Sequence, residues 1–219
     1  HLDPWVGHLV PLAEVDNKLP DQHDPRDRLQ PPGNEAIDRV KAAADDLGMP
    51  FGCLAADGCH VYEDDTDQRA QNRERAHRWI EIADRLDAAQ IRIDAGGPED
   101  MPEESFSVIR EGYADLIDHA GDCGIQMLFE NHWGPTKWPD NVVRLLEAVD
   151  GLGFLFDTNN WAKGTQQEGW RRCARRADAV HIKTFQFDEE GNEATVDLAV
   201  PIRLLQEAGY DGCWGVESC

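Results

Sequence analysis

The feature that most constrains the fold is a short apolar segment that ends in polar residues and recurs along the chain. It is clearest at residues 124–134, GIQMLFENHWG, where the apolar run at 125–129 is followed by Glu130, Asn131 and His132. An apolar run of this length between glycines is typical of a strand buried on both faces. Such strands occur in parallel sheets that are covered by helices. Read alone, the polar residues could simply begin a solvated loop, but the recurrence of the pattern favours a functional sheet edge.

The same unit repeats over residues 34–219, with predicted strands and predicted amphipathic helices in alternation. Alternation of this kind without hairpin signals predicts a parallel sheet with right-handed crossovers. The predicted strands are 49–55, 90–94, 125–129, 153–156, 179–182 and 213–216, and the predicted helices are 34–47, 67–88, 103–120, 139–149, 168–176 and 199–208.

Two parallel architectures fit this alternation, a (β/α)8 TIM barrel and an open doubly wound sheet. The open sheet would require a glycine-rich phosphate-binding loop after an early strand. Residues 95–97, Ala-Gly-Gly, match that loop only weakly, and no acidic partner follows at the expected distance. We therefore predict one α/β TIM-barrel domain over residues 1–219, irregular and proline-rich over 1–33 and built from βα units over 34–219.

The predicted strands are fewer than the eight that a closed barrel needs. Prolines interrupt residues 1–33, which leave room for at most one short strand near residues 8–12. After the last predicted strand the sequence contains no covering helix, so Trp214 or its neighbours should be exposed. We expect a barrel that is incomplete at both termini of this chain.

The charge of the chain excludes several classes of function. With 43 acidic and 21 basic residues the net charge is −22, and a basic surface for nucleic acid is missing. There is neither an apolar stretch long enough for a membrane span nor a secretory signal, and the six cysteines form no C-x-x-C pair. We expect a cytoplasmic protein without nucleic-acid or membrane partners, and the sequence leaves a homo-oligomer open. The acidity favours a halophilic protein over an ordinary acidic one.

Side chains of the types that bind metals stand at the carboxyl ends of four consecutive predicted strands. They are Glu130, Asp157, His181 and Glu217, hereafter the quartet, and about one βα unit separates each from the next. Because parallel strands share an edge, the four should meet at one rim. Three carboxylates brought together without a cation would repel one another. Three oxygen ligands and one nitrogen suit a single Mn²⁺, Mg²⁺, Co²⁺ or Zn²⁺ ion, so we expect one divalent metal ion.

Motifs around the quartet resemble those of the xylose isomerase-like TIM-barrel superfamily, in its sugar phosphate isomerase/epimerase branch. The resemblance covers roughly residues 34–219 and implies that the quartet holds the metal and that Glu130 and Glu217 move protons beside a carbonyl. One departure is Asn160, where many members carry a histidine. Endonuclease IV, a relative with three zinc ions, has an Asp-x-His pair that is missing here, which opposes a role in DNA repair. The matching motifs are 129–132 (FENH), 156–160 (FDTNN), 181–183 (HIK) and 215–217 (GVE).

The resemblance implies a divalent-metal-dependent isomerase or epimerase of a small sugar or polyol, with proton transfer alpha to a carbonyl through an ene-diolate. Two alternatives stay open. One is a dehydratase, a lyase acting on an inosose-like keto-polyol, and the other is a degenerate barrel that binds a sugar without turnover. The candidates for contacts with the substrate are His132, Asn160, Lys183, Trp133, Trp161, His60 and Arg92.

Overall fold

The structure is a computed structural model that describes residues 1–10 and 29–218. Within these residues six strands form one sheet in the order β1 to β6, and six α-helices alternate with them. The strands are β1 (Cys53–Ala56), β2 (Gln90–Ile93), β3 (Gln126–Glu130), β4 (Gly153–Asp157), β5 (Ala179–Thr184) and β6 (Trp214–Ser218), and the helices are α1 (Asn34–Asp46), α2 (Thr66–Arg85), α3 (Glu103–Asp122), α4 (Pro139–Ala148), α5 (Gln166–Cys173) and α6 (Ala199–Glu207).

Every strand pairs in parallel with the strand that follows it in the chain. This topology confirms the predicted α/β fold of repeated βα units, and all six predicted strands and six predicted helices are present. No helix of residues 1–10 and 29–218 is long and apolar enough to cross a membrane.

The start of the chain differs from the prediction. The proposed strand near residues 8–12 is wrong where the structure describes it, because Val6–His8 form a 3₁₀ turn. The extended residues lie earlier: Leu2 and Trp5 form parallel bridges just before and within β1. The rest of that predicted strand lies outside the described residues.

Strands β1 to β5 bury side chains on both faces of the sheet. On one face the rings of Phe129, Phe154 and Phe156 are fully buried, with the centroids of Phe129 and Phe154 5.2 Å apart. Side chains alternate between faces along a strand, so Leu128 and Leu155 point the other way. With Cys53 and Ala179 these two leucines form a separate small cluster. A sheet that is apolar on both faces confirms the reading of residues 125–129 as a doubly buried strand.

The last strand is an edge of the described sheet. Within residues 1–10 and 29–218, β6 pairs with β5 and with no other strand. Its side chains are correspondingly open to solvent, with Trp214 38% and Val216 73% exposed. The structure thus contains a partial barrel, as expected.

We expect salt to raise the thermal stability of the protein. The 43 acidic residues outnumber the 21 basic ones, and their mutual repulsion falls as the Debye length shrinks from about 10 Å at 0.1 M to about 3 Å at 1 M salt. Thermal melts followed by circular dichroism should show a higher midpoint in 1 M than in 0.1 M KCl. Sucrose at equal osmolality is the control for effects that do not depend on charge. A thermal midpoint that is the same in 0.1 M and 1 M KCl would contradict the halophilic prediction.

Candidate metal centre

The structure brings the four quartet side chains together at the carboxyl edge of the sheet. Glu130 and Asp157 are the last residues of β3 and β4, while His181 and Glu217 belong to β5 and β6. One potential ligand atom from each lies within 4.8 Å of the other three. His181 Nδ1 is 3.4 Å from Glu217 Oε2 and 3.9 Å from Glu130 Oε1. A single ion could therefore contact all four residues.

The donor atoms of the quartet fit a divalent cation. Glu130, Asp157 and His181 are 1%, 0% and 8% exposed. Among the described residues, Asp157 Oδ2 and His181 Nδ1 have no hydrogen-bond partner of good geometry. Buried polar atoms left unpaired cost free energy, and coordination of an ion removes that cost. Three carboxylates with one imidazole are a donor set that Mg²⁺, Mn²⁺ and Zn²⁺ accept.

The electrostatics of the quartet also favour a cation. Burial and the neighbouring charge of Glu130 raise the pKa of Asp157 to about 7. Burial would lower the pKa of His181, but Glu217 and Glu130 raise it. Burial alone would raise the pKa of Glu217, yet the neighbouring side chains of His181 and Lys183 lower it to about 2. The quartet as a whole attracts positive charge, and a divalent ion would relieve the repulsion between its three carboxylates.

Backbone and amide groups hold two quartet carboxylates in position. Asp157 Oδ1 accepts hydrogen bonds from the backbone N–H groups of Asn159 at 2.6 Å and Asn160 at 2.9 Å, while Oδ2 stays available to a ligand. The side chain of Asn160 donates to Glu130 Oε1 at 3.0 Å. The amide of Asn131 exchanges two hydrogen bonds with the backbone of Asp157. Asn160, a predicted substrate contact, is thus placed as a support for a quartet carboxylate.

Arg92 lies at the centre of a buried cluster of carboxylates. It is 5% exposed, and its guanidinium is 2.6 Å from Asp57 Oδ1, 3.1 Å from Asp94 Oδ2 and 3.0 Å from Glu130 Oε2. We call Arg92, Asp57, Asp94 and Glu130 the arginine cluster. Three carboxylates around one guanidinium suit a structural role for Arg92 beside Glu130 of the quartet.

Asp57 and Asp94 were missed by the sequence analysis, although a signal for them existed. Asp57 directly follows β1 and Asp94 directly follows β2, as polar groups follow the other strands. With His132 they place ligand atoms within 4.8 Å of one another. Because Arg92 already pairs with both carboxylates, this second group fits a cation less well than the quartet does.

Lys183 and His132 are also placed against carboxylates. Lys183 is 6% exposed, and its ammonium donates to Glu217 Oε1. His132 Nδ1 is 2.9 Å from Asp94 Oδ2. Burial would lower the pKa of His132, but the charges of Asp94 and Glu130 raise it to about 9. Both cationic side chains are therefore held by acidic partners.

The two tryptophans predicted to contact a substrate, Trp133 and Trp161, differ in their exposure to solvent. Trp161 is 8% exposed and packs on Phe156 in the hydrophobic core, with ring centroids 6.0 Å apart. Its burial opposes the predicted contact with a substrate. Trp133 is 39% exposed, and the ring of His60 lies edge-on to it at 5.1 Å. Of these two candidates, Trp133 is the one whose ring is open to a ligand.

Two cavities open at this edge of the sheet. The metal cavity, of about 810 Å³, is lined by Glu130, His181 and Glu217 of the quartet. The side cavity, of about 710 Å³, is lined by His60 and Trp133 among others. Both volumes lie in the range of about 300–1,000 Å³ typical of small-molecule sites.

The fold and the site define a class of protein, a parallel α/β barrel with a candidate metal centre at the carboxyl edge of its strands. A family profile described as xylose isomerase-like TIM barrel matches residues 18–219. The chain belongs to the xylose isomerase-like TIM barrel family. No curated protein matches its sequence.

Solved structures share the fold at low sequence identity. The 3-keto-D-glucoside 4-epimerase from E. coli is 14% identical with a TM-score of 0.69, over 84% of this chain and 77% of that one. D-allulose 3-epimerase from Methylomonas sp. is 16% identical with a TM-score of 0.68, over 84% and 69%. A xylose isomerase-like TIM barrel protein from Mycobacterium smegmatis, in complex with magnesium, is 20% identical with a TM-score of 0.66, over 85% and 72%.

Proposed function

We propose that the protein is a divalent-metal-dependent isomerase or epimerase of a small sugar or polyol. The observation that carries this proposal is the convergence of the quartet, with unpaired ligand atoms, on a cavity of about 810 Å³. Sugar epimerases among the structures of the same fold support it. When bound by the quartet, a divalent ion supplies a Lewis acid for a carbonyl and an adjacent hydroxyl.

Glu130 and Glu217 are the proposed carriers of the proton. The reaction requires removal of a proton from the carbon beside the carbonyl, which gives an ene-diolate, and return of a proton to that system. Glu130 or Glu217 takes the proton as a carboxylate, and a proton returns from the same glutamate or from the other one after exchange with solvent. His132 lines the metal cavity, and its proposed role is to orient a substrate oxygen.

Metal analysis followed by solvent-deuterium exchange tests the proposal. We expect the purified protein to bind one equivalent of Mn²⁺ or Mg²⁺ and, with metal, to exchange a C–H beside the carbonyl of at least one ketose in D₂O. Treatment with EDTA should stop the exchange, which proton NMR follows directly. Metal binding without exchange in any ketose or inosose would overturn the proposal and favour a degenerate barrel, and loss of water from an inosose would assign the dehydratase instead.

A further inference from the structure

The side cavity adjoins the metal cavity but has no part in the chemistry proposed above. Its volume of about 710 Å³ is close to the 810 Å³ of the metal cavity. Asp57 belongs to the lining of both cavities. The shared residue shows that the two cavities are neighbours.

Trp133 brings to the side cavity a partly exposed indole ring that two contacts hold in place. Its indole N–H donates to Asp94 Oδ2 at 3.0 Å, and the ring of His60 packs against it at an interplanar angle of 89°. The side chain nevertheless stays 39% exposed. Because its orientation is set before binding, little conformational entropy is lost when a ligand stacks on it. A rigid tryptophan of this kind suits a ligand that has a flat, partly apolar face.

Acidic groups of the side cavity provide acceptors for hydroxyl donors. Asp94 lines the cavity at 4% exposure, and its Oδ1 has no hydrogen-bond partner among the described residues. A buried carboxylate oxygen left unpaired costs free energy that a donor from a ligand would recover. Glu63 and Asp64 add two more carboxylates to the lining. The cavity therefore favours a ligand with several O–H groups.

The same charges oppose a phosphate group. Asp57, Glu63, Asp64 and Asp94 all line the side cavity. The guanidinium of Arg92, which lies beside Asp57 and Asp94, is already paired with three carboxylates. A phosphate here would meet like charge, and no lysine or arginine lines the cavity within the described residues. Bringing like charges together in a partly buried site has a large cost in free energy.

We propose that the side cavity is a second sugar subsite, so that the substrate is an uncharged glycoside with two rings and not a sugar phosphate. This inference rests on the proposed function, because that function places the reacting ring in the metal cavity. The second ring would stack on Trp133 and donate hydroxyl hydrogen bonds to the carboxylates around Asp94.

Binding measurements test the subsite without requiring turnover. Isothermal titration calorimetry in magnesium-containing buffer would compare a panel of disaccharides (cellobiose, maltose, lactose and sucrose) with methyl β-D-glucoside and glucose 6-phosphate. We expect at least one disaccharide to bind about tenfold more tightly than the methyl glucoside, and glucose 6-phosphate to bind more weakly than either. Equal affinities for one and two rings, no binding of any disaccharide, or preference for the phosphate would overturn the inference. Deuterium exchange in a single-ring ketose with no disaccharide preference would retain the proposed function and reject the subsite.

Matched tryptophan variants locate the second ring. Trp133→Ala should weaken the best disaccharide about tenfold and leave the methyl glucoside unaffected, because only the second ring loses its stacking surface. Trp133→Phe retains an aromatic face and should recover most of the affinity. Trp138→Ala is the control, since Trp138 is a nearby tryptophan of similar exposure, 37%, outside the cavity lining. An affinity unchanged in Trp133→Ala, or lowered equally in Trp138→Ala, would contradict the assignment.

Discussion

Replacing Glu130 with Gln is expected to abolish deuterium exchange while the protein stays folded. The substitution removes a carboxylate that is both a quartet ligand and a proposed base, and general bases typically contribute about 10²–10⁴-fold to a rate. The volume hardly changes. The new amide can accept from Arg92 while Asn160, which now donates to Glu130 Oε1 at 3.0 Å, turns its own amide to accept.

Two measurements separate loss of chemistry from loss of structure. The thermal midpoint of Glu130→Gln should stay close to that of the parent, and its metal content should fall because one anionic ligand is gone. Glu111→Gln is the matched control, since Glu111 is an exposed glutamate on α3 and its loss should change neither exchange nor metal content. Exchange at the parental rate in Glu130→Gln would remove Glu130 from the mechanism. The same comparison applies to Glu217→Gln.

Replacing Arg92 with Met is expected to destabilise the protein by about 3–5 kcal/mol, the usual cost of removing one partner from a buried ionic group. Asp57, Asp94 and Glu130 would be left as buried carboxylates without their shared guanidinium. Urea denaturation followed by circular dichroism measures the free energy of unfolding. Arg92→Lys should be intermediate, because a compact ammonium cannot replace a planar guanidinium that reaches three partners.

The loss of stability in Arg92→Met should depend on pH in a defined direction. Burial would raise the pKa of Asp94, but Arg92 and His132 outweigh it and hold the pKa below its usual range. A carboxyl with a lowered folded pKa stabilises the fold above its unfolded pKa of about 3.9, and that contribution disappears on acidification. The difference between the parent and Arg92→Met should therefore be largest near neutral pH and shrink in acid.

An exposed ion pair supplies the control for Arg92. Arg85 forms a bidentate pair with Asp38 on the surface, with Nε–Oδ1 and Nη2–Oδ2 distances of 2.5 and 2.7 Å. Because solvent screens exposed pairs, Arg85→Met should change stability far less than Arg92→Met. Equal effects at the two sites would show that the arginine cluster is no more important than a surface pair.

The sequence by itself determined the order of strands and helices and the position of the quartet. Apolar runs such as 125–129 can be satisfied only by burial on both faces, and helices between them force a parallel sheet. Once the strands are parallel, residues at their carboxyl ends share an edge. Glu130 and Glu217 therefore meet although 87 residues of chain separate them. The same rule would have found Asp57 and Asp94.

Only the tertiary structure decided which polar groups pair with one another at that edge. Arg92 and Lys183 are predicted to contact the substrate, and in the structure each also pairs with a carboxylate, Glu130 or Glu217. The sequence does not show how close these side chains lie to one another. Trp133 and Trp161 look alike as tryptophans in loops after strands, yet one lines a cavity and the other fills the core. The physical reason is that the spacing of apolar residues indicates which face of a helix or strand is buried. The direction of a loop side chain depends instead on contacts with residues that are distant in the sequence. Packing, charge and hydrogen bonding among those distant partners therefore set the chemistry of the site.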